Sequence, residues 1–341
     1  MNDRRSIDVV IATYNRRELL VEALHGLARQ TLSPSEFAVI VVDDGSTPPV
    51  RPAIERLSLP YELTILEQPN QGAAAARHHG IVHAEGALIV ILDDDMRVPP
   101  ELLAEHLAAH ARGATLVLGR IDDEGAVMAR KPIFERMHAA LLHRRYEAFR
   151  SGGERPCGAH ACTGNVSFRL RDYLAVGGFD LVLERSEDSE LGVRLEVAGA
   201  VVAFADAART IHRSDVADLE VWMRRNFRYG GCDLRIARKH PALESADPWR
   251  FFFMIHPISR VLVALSLAAP SAGARLSRLA IRAAMALDAV GAERAALAGA
   301  TVSYGLEYFR GMRSEAGSMG TALRGLGAYL GKRRRGSTAR A

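Results

Sequence analysis

Four short runs of apolar residues, separated by segments with helical periodicity, place the strongest constraint on how this chain can fold. The runs cover residues 7–12, 37–42, 61–66 and 87–92. They are rich in Val and Ile, which is typical of strands buried on both faces of a sheet. Helical patterns cover 16–29, 52–57 and 71–83. Strands and helices that alternate with short connections predict an α/β fold, with a Rossmann-like, mostly parallel sheet flanked by helices.

Beyond residue 100 the pattern loosens and finally becomes helical. We predict helices over 101–112, 133–150, 187–198 and 218–240, and extended segments over 115–121, 165–170, 201–205 and 210–212. Ala-rich helical segments dominate after Pro248. The sequence therefore predicts an α/β domain over 1–240, a helical C-terminal extension over 241–331 and a basic tail over 332–341.

The helix predicted over 218–240 carries Trp222 close to Arg224, Arg225 and Arg228. One interpretation is a cationic and aromatic surface that meets an anionic ligand. The other is an ordinary amphipathic helix, whose long basic side chains extend to solvent. The sequence leaves both interpretations open.

The balance of charges restricts the choice of partners. Apolar residues make up 48% of the chain and charged residues 25%, which is ordinary for a globular protein. Lys and Arg total 44 against 40 acidic residues, and the excess lies mostly in Lys332 to Arg335 and Arg340. A basic tail of this kind either contacts an anionic membrane surface or remains solvated. We expect no nucleic-acid partner.

Cysteine usage and hydropathy indicate the compartment. The chain has 3 cysteines, too few for a disulfide framework, which fits a reducing compartment. The N-terminal residues lack the long apolar core of a signal peptide. The apolar stretch 255–269 is shorter than the roughly 20 residues that span a bilayer. We expect a cytoplasmic protein. Contact with the inner face of the plasma membrane through the C-terminal helices, and homo-oligomer formation, stay open.

Polar motifs recur at one kind of position, directly after a predicted strand. Thr13-Tyr14-Asn15 follows the first strand, Asp43-Asp44-Gly45-Ser46 follows the second, and Asp93-Asp94-Asp95 follows the fourth. Ligands of open α/β sheets bind outside the carboxyl ends of the strands. The three motifs therefore predict a single ligand site at that edge.

Asp93-Asp94-Asp95 is the most informative of these motifs. Three adjacent carboxylates repel one another unless a cation or hydrogen-bond donors neutralise them. In an extended segment Asp93 and Asp95 point to the same side. Carboxylate oxygens are the ligands that Mg²⁺ and Mn²⁺ prefer, and such sites leave positions for phosphate oxygens. A solvated acidic turn is the alternative for the motif taken alone.

The other strand-end motifs each have a functional and a purely structural interpretation. Asp43 and Asp44 either accept hydrogen bonds from a nucleobase or ribose, or form a common Asp-Gly turn. Gly72 and Arg77 lie at a helix start and one turn further on, where they either approach a phosphate or form a glycine cap with a surface arginine.

Taken together, these residues resemble glycosyltransferase family 2, whose members have the GT-A fold of the nucleotide-diphospho-sugar transferase superfamily. The resemblance rests on the segments 9–16, 41–46, 70–72 with Arg77, and 92–95, and continues with 163–169, 177–180 and 187–191 with Arg194. Their order and spacing match the family over about residues 6 to 215.

The resemblance implies a role for each matching residue. The expected donor-site residues are Thr13, Tyr14, Asn15, Asp43, Asp44, Gly72, Arg77, Asp93, Asp94, Gly164, Asn165 and Glu187. Among them, Thr13, Tyr14 and Asp43 would hold the base, Asp93 the ribose, and Gly164 and Asn165 would lie beside the sugar or the acceptor. Asp95 would bind a divalent metal, Mg²⁺ or Mn²⁺. His212, a looser match, would lie near the diphosphate or the metal.

The resemblance further implies an inverting, metal-dependent sugar transfer with Asp188 as the general base. The donor would be a nucleotide-diphosphate sugar. The acceptor would be a saccharide, a lipid-linked saccharide or a small metabolite, in polysaccharide or glycoconjugate biosynthesis. Two alternatives are a sugar nucleotidyltransferase and a catalytically silent binding scaffold. The first usually carries a Gly-rich basic loop where this chain has Thr13-Tyr14-Asn15-Arg16, and the second would be expected to lack Asp95 or Asp188.

Overall fold

A computed structural model describes residues 5–213 and 218–338 of the chain. Within these ranges the chain divides into two compact units. The first comprises 5–125, 142–182 and 187–213, and the second comprises 126–141, 183–186 and 218–338.

The first unit is built on one eight-stranded sheet. Its strands are β1 (Ile7–Thr13), β2 (Phe37–Asp43), β3 (Glu62–Glu67), β4 (Leu88–Asp93), β5 (Met96–Arg97), β6 (Leu116–Asp123), β7 (Asn165–Arg169) and β8 (Val202–His212). They lie in the order β3-β2-β1-β4-β7-β6-β8-β5. The half made of β3, β2, β1 and β4 is parallel, while β7 runs antiparallel to both of its neighbours. The sheet is therefore mixed, with a parallel half that carries the strand-end motifs.

Alternating side chains of the parallel strands feed two separate cores. On β1, Val9 and Ile11 pack into one apolar cluster and Val10 into another. The flanking helices are α1 (Arg17–Leu27), α2 (Arg51–Ile54), α3 (Ala73–Val82), α4 (Leu102–Ala111), α7 (Leu170–Ala175) and α8 (Glu187–Val197). Helix α5 (Gly125–Met128) falls almost wholly in the second unit, and α6 (Ile133–Arg150) belongs to the second unit up to residue 141 and to the first from residue 142. Burial on both faces explains why the strand sequences are almost continuously apolar.

Besides helix α5, a single turn that was not predicted, three elements differ from the sequence-based prediction. The two extended segments predicted over 201–205 and 210–212 form one strand, β8, because β6 pairs with it on both sides of a register shift between Gly119 and Arg120. Strand β5 and helix α7 were not predicted, since both are too short to have a recognisable period. Strand β5 is stabilised by its pairing with β8, and helix α7 by its packing against β7.

The second unit is helical. Its helices after residue 218 are α9 (Leu219–Lys239), α10 (Trp249–Met254), α11 (Pro257–Ala268), α12 (Pro270–Ala289), α13 (Glu293–Ala316) and α14 (Met319–Thr338). Trp222 of α9 is fully buried, with its ring centroid 5.4 Å from that of Phe134. Trp222 therefore lies on the buried side of an amphipathic α9, and its ring cannot be part of a surface that meets a ligand.

Helix α14 continues into the segment predicted as a basic tail. The predicted tail thus begins inside a helix, and its last residues, with Arg340, lie outside the described part of the chain. Among residues 5–213 and 218–338, none of the helices combines the length and apolar character needed to cross a bilayer.

Candidate functional site

The strand-end motifs meet at one edge of the sheet, as the parallel register requires. Thr13 is the register partner of Asp43, and Ala12 is the partner of Asp93. Tyr14 lies directly beyond Thr13 and is 49% exposed, which leaves one aromatic face open to solvent at this edge. The three motifs predicted to form a single site are therefore neighbours in space.

Asp43 organises the loop that follows β2. Its Oδ1 accepts the Ser46 N–H at 2.9 Å, and its Oδ2 accepts the Val50 N–H at 3.0 Å. Asn15, which has a positive φ of 56°, binds the same loop: its N–H donates to Ser46 Oγ, and its Oδ1 accepts the Thr47 N–H at 2.8 Å. The Asp43 carboxylate thus shapes the loop in addition to any contact it makes with a base.

Asp44 holds the start of α3 in place. Its Oδ1 accepts from the Gln68 side chain and from the Gln71 N–H, and its Oδ2 accepts the Gly72 N–H at 2.9 Å. Gly72 has φ +90°, a conformation that strongly favours glycine, and a Cβ there would meet no atom within 4 Å. The space in front of Gly72 therefore remains open at the N-terminus of α3.

Asp94 is buried between two donors. Thr13 Oγ1 donates to its Oδ2 at 2.7 Å, and Arg16 Nη1 lies 3.3 Å from its Oδ1. Burial raises the pKa of Asp94 to about 6, against the opposing effects of Thr13 and Arg16. Thr13 and Asp94, both expected to face the donor, therefore bond to each other and link β1 to the end of β4.

Asp95 has one oxygen paired and one unpaired. Its Oδ2 lies 2.9 Å from Arg16 Nη1 and 3.3 Å from His212 Nε2, while its buried Oδ1 has no hydrogen-bond partner. Burial opposes ionisation, but the His212 hydrogen bond and the charges of His212 and Arg16 lower the pKa of Asp95. The pKa of His212 rises although burial opposes this, because Asp95 lies beside it. An ionised carboxylate with a free buried oxygen fits a cation ligand.

The part of the chain that the structure describes contains no group of three or more His, Cys, Asp or Glu side chains arranged to hold a metal ion. Asp95 and His212 could supply two ligands. Mg²⁺ commonly takes one or two protein carboxylates and completes its shell with water and phosphate oxygens. The residues present therefore fit a divalent cation that is held jointly with a diphosphate.

Arg77 connects the acidic strand end to helix α8. Its Nη2 lies 2.6 Å from Asp93 Oδ1, and its Nη1 lies 3.1 Å from Glu187 Oε1. Arg77 is 7% exposed. Burial alone would lower the pKa of its guanidinium, but the charges of Asp93, Glu187 and Asp188 outweigh this effect and raise the pKa above the normal range. Arg77 was expected to meet a phosphate, but both ends of its guanidinium bind carboxylates of the protein. It positions Asp93 and Glu187.

Asp188 lies one residue after Glu187, in the first turn of α8. Its Oδ2 accepts the Thr163 N–H at 3.3 Å and its Oδ1 accepts the Ser189 N–H at 2.8 Å. It borders an apolar cavity of only about 10 Å³, lined also by Phe168 and Leu191. Burial, then the neighbouring Glu187, raises the pKa of Asp188 to about 7. A carboxylate with this pKa suits a proton acceptor near neutral pH.

Gly164 lies against the acidic strand end. A Cβ at this position would lie 2.7 Å from Met96 Cε and 3.3 Å from Asp93 Oδ2. The first distance is shorter than real Cβ contacts allow, so a Cβ would require the flexible end of the Met96 side chain to move aside. The segment that contains Thr163 and Gly164 thus runs between Asp188 and Asp93.

Asn165 is not available to a sugar. Its side chain is 1% exposed, its Nδ2 donates to the backbone oxygens of Arg120 and Ala208, and its Oδ1 lies 2.8 Å from His106 Nε2. The amide does not reach out to a sugar or acceptor, because every polar atom of the side chain is directed into the core, and the expected place of Asn165 beside them stays a prediction. Asn165 instead ties β7 to β6 and β8.

Sequence reasoning missed the partners that connect the site. Arg16 was noted only as part of a loop motif, and His106 was not singled out. Both act on residues far away in the sequence, Arg16 on Asp94 and Asp95, and His106 on Asn165. Only the run of three aspartates signalled that a neutralising cation was needed.

A mixed sheet whose parallel half ends in acidic loops is the GT-A type of fold. A mannosyltransferase structure, PcManGT from Pyrobaculum calidifontis in complex with GDP-Man and Mn²⁺, has a similar fold with a TM-score of 0.56, 19% identity and coverage of 88% of this chain and 86% of that one. Residues 8–176 match the family model described as Glycosyl transferase family 2. The chain belongs to glycosyltransferase family 2.

Curated relatives of this family have diverse names. Validoxylamine A glucosyltransferase of Streptomyces hygroscopicus subsp. limoneus is 31% identical, covering 70% of this chain and 57% of the relative. Succinoglycan biosynthesis protein ExoM of Rhizobium meliloti is 29% identical, covering 83% of this chain and 91% of the relative. The chain spans less than two thirds of the validoxylamine A and pre-mycofactocin glycosyltransferases that it matches.

Proposed function

We propose that this protein transfers a sugar from a nucleotide-diphosphate sugar to an acceptor hydroxyl. The observation that carries the proposal is the position of Arg77, which binds Asp93 at the end of β4 and Glu187 beside Asp188. It brings the acidic strand end and the candidate base to the same edge of the sheet. Membership of family 2 supports the same reaction class.

The donor would lie across the carboxyl ends of β1, β2 and β4. The exposed ring of Tyr14 offers a surface for a nucleobase. Asp43 and Asp44 hold the two neighbouring loops in place, and Asp93, whose side chain is 31% exposed, can still accept from a ribose hydroxyl. The open N-terminus of α3 at Gly72 suits the negative charge of a diphosphate.

Asp95 and His212 would hold a divalent cation, Mg²⁺ or Mn²⁺, through the free Asp95 Oδ1 and the imidazole. The bound cation supplies positive charge that stabilises the departing diphosphate. Arg16 keeps Asp95 ionised and limits the movement of its carboxylate. One related structure was solved with GDP-Man and Mn²⁺, which supports a metal-assisted donor site.

Asp188 would take the proton of the acceptor hydroxyl while that oxygen attacks the anomeric carbon. Attack from the face opposite the diphosphate inverts the configuration of the sugar. The N-terminus of α8 and Arg77 stabilise the Asp188 carboxylate, while burial keeps it basic enough to accept a proton. Asn165 is left out of the acceptor site, because its amide is fully bonded inside the protein.

The acceptor is proposed as a saccharide, a lipid-linked saccharide or a small metabolite in polysaccharide or glycoconjugate biosynthesis, in the cytoplasm. The names of the relatives support this range: one acts on validoxylamine A, and another belongs to succinoglycan biosynthesis.

The test is a thermal-shift and calorimetric screen of nucleoside diphosphates, with and without Mn²⁺, on the wild type and on Asp95→Ala. We expect one nucleoside diphosphate to raise the melting temperature, because a ligand of the folded state stabilises it. Mn²⁺ should strengthen that binding in the wild type and leave it unchanged in Asp95→Ala. Equal Mn²⁺ effects in both proteins would refute the metal role, and the absence of any nucleotide effect would refute the donor site.

A further inference from the structure

Helix α11 of the second unit carries a continuous apolar face that packs against nothing in the described chain. Ile258, Val261 and Leu265 follow one another at helical spacing on α11 and are 71%, 62% and 51% exposed, and Met254, the last residue of α10, is 61% exposed. The opposite face of α11 is buried through Val263 and Leu267. Single exposed apolar residues are normal on protein surfaces, but a row of three large ones along a helix marks an interaction surface.

Arginine side chains border this face. The guanidinium carbons of Arg260 and Arg333 lie 5.6 and 5.4 Å from the centroid of the Phe253 ring, at the start of the row. Arg260 is fixed there, because its Nη2 donates to the Phe253 carbonyl at 2.8 Å. Two cations therefore stand beside the residues that lead into the apolar row.

Helix α12, which packs next to α11, continues the pattern. Arg275, Leu279 and Arg282 lie at helical spacing on its exposed side, and Leu279 is 61% exposed. The sequence contains no Asp or Glu between Asp247 and Asp288, whereas five arginines fall in this interval. Basic residues combined with protruding apolar ones are the composition of a helix that lies in the interface of an anionic bilayer.

This charge pattern distinguishes between the candidate occupants of the face. A second copy of the chain, related by a two-fold axis, would place the same arginine-rich surface against itself, and like charges would repel. An anionic bilayer instead attracts each basic residue while it buries the apolar row. Helix α11 has 12 residues, too few to span a bilayer, so it would lie in the plane of the surface.

We propose that α11 and the exposed side of α12 form a docking face for an anionic lipid membrane. Ile258, Val261 and Leu265 enter the boundary between headgroups and acyl chains, and Arg260, Arg275, Arg282 and Arg333 contact lipid phosphates. This binding does not depend on which sugar the protein transfers, or on whether it transfers one. It would hold the chain at the surface where a lipid-linked acceptor resides.

The test is flotation of the full-length chain with vesicles of equal parts phosphatidylglycerol and phosphatidylcholine, compared with vesicles of phosphatidylcholine alone. We expect binding to the anionic vesicles that weakens as salt is raised, because salt screens the arginines. Val261→Glu should weaken this binding at least about tenfold, since it places a charge at the centre of the row. Val197→Glu is the matched control, because Val197 in the first unit is the same residue type and is 61% exposed.

Each alternative outcome is decisive. If Val261→Glu binds the anionic vesicles as tightly as the wild type, or if Val197→Glu loses as much vesicle binding as Val261→Glu, the proposed docking face is refuted. Equal binding to neutral and anionic vesicles would refute the role of the arginines, which the double variant Arg275→Glu/Arg282→Glu tests separately. A wild type that ignores vesicles but self-associates, and that becomes monomeric on Val261→Glu, would show that a second copy covers the row. Circular dichroism of each variant checks that it folds.

Discussion

Arg77 Nη2 lies 2.6 Å from Asp93 Oδ1, and this partly buried ion pair is the centre of the acidic edge of the first unit. The other end of the guanidinium binds Glu187, so one cation neutralises carboxylates from two segments that the sequence keeps far apart. Arg77 also stabilises the ionised form of Asp188. The charge balance of the site therefore depends on a residue whose two Nη atoms both bind carboxylates of the protein.

The first prediction follows from this dependence. Arg77→Ala leaves Asp93 and Glu187 without their cation. Because Arg77 is buried while Asp93 is partly exposed, the loss of folding free energy should lie between about 1 kcal/mol, as for an exposed pair, and about 3 kcal/mol, as for a buried one. Because Arg77 also lowers the pKa of Asp188, the variant should shift the acidic limb of the pH–rate profile to higher pH. Urea unfolding and the pH–rate profile measure the two effects.

The exposed ion pair between Arg51 and Glu67 provides a control for Arg77→Ala. Arg51 pairs with Glu67 at 2.8 Å, but both side chains are well exposed. Arg51→Ala should cost no more than about 1 kcal/mol and leave the pH–rate profile unchanged. Similar losses for the two variants would contradict a special role for Arg77.

The second prediction concerns the protonation of Asp188. Since its pKa is about 7, the proposed base is protonated at low pH, and the transfer rate should fall as pH drops through about 7. Asp188→Asn should still bind the nucleoside diphosphate but lose transfer. Calorimetry and a transfer assay separate binding from chemistry. A variant that keeps full transfer activity would remove Asp188 as the base.

The raised pKa of Asp188 should also make the free energy of unfolding depend on pH. The folded pKa of Asp188 is raised from 3.8, so between about pH 4 and 7 the native state holds a proton that the unfolded state has lost. The contribution of Asp188 to the free energy of unfolding therefore falls as pH rises through this window. We expect Asp188→Asn to gain stability relative to the wild type from pH 4 to pH 8, by on the order of 1–3 kcal/mol. A difference that does not vary with pH would contradict the raised pKa.

The strand-end acids could be predicted from the sequence, whereas their partners could not. Asp43 and Asp93 end apolar runs, and parallel strands in register bring such ends together, so local pattern was enough. Strand β8 was predicted as two pieces, because the strand propensity around Asp206 is weak. In the structure, pairing with β6 overrides this weak propensity and β8 is one strand. Long-range contacts such as Arg16 with Asp95 leave no trace in local periodicity.

Asn165 shows the same limit from the opposite side. Its position in a family motif suggested contact with a sugar, but its amide lies in a buried network with His106, Ser167 and His110. A motif records that a residue type is needed, without saying whether the side chain faces a ligand or the core. The burial of Asn165, at 1% exposure, decides this case.

The third prediction comes from counting hydrogens in that network. The chain of contacts runs from the Ala114 carbonyl through His110, Ser167 and His106 to Asn165 Oδ1, and its four links each need one hydrogen. Both ends of this chain are acceptors only. The Ala114 end is a carbonyl oxygen, and the Asn165 end is Oδ1, since the Asn165 Nδ2 donates to two other carbonyls. Two neutral imidazoles and one hydroxyl supply three hydrogens. At neutral pH one link therefore lacks a hydrogen, and a proton on His106 or His110 would complete the chain.

Burial determines when that proton binds. It lowers the pKa of His106 to about 4, so the native state stays neutral between about pH 4 and 6.5 while the unfolded histidine takes up a proton. The free energy of unfolding should fall as pH is lowered through this window. Asn165→Ala removes the acceptor of His106, should cost about 2–3 kcal/mol, and should lower the His106 pKa further. Nitrogen NMR of the imidazoles checks this, and a His106 pKa near 6.5 in the wild type would contradict it.

The fourth prediction concerns the second unit, where α9 and α13 approach closely at two glycines. A Cβ on Gly230 would lie 1.8 Å from the Tyr308 carbonyl oxygen, and one on Gly311 would lie 1.7 Å from that of Phe227. Both obstacles are backbone atoms inside helices, which cannot move aside without separating the two helices. Gly230→Ala should therefore destabilise this unit by about 3 kcal/mol or more, the scale of severe overpacking.

The neighbouring glycine provides the matched control. A Cβ on Gly231 would meet its nearest atom, the Gly311 carbonyl oxygen, at an ordinary 3.7 Å. Gly231→Ala gains the better helix propensity of alanine without a clash, and should be neutral or stabilise the unit by up to about 1 kcal/mol. Thermal unfolding followed by circular dichroism compares the two variants. Equal effects at Gly230 and Gly231 would mean that loss of glycine in α9 matters in itself, and that the close approach of α9 and α13 does not limit the size of residue 230.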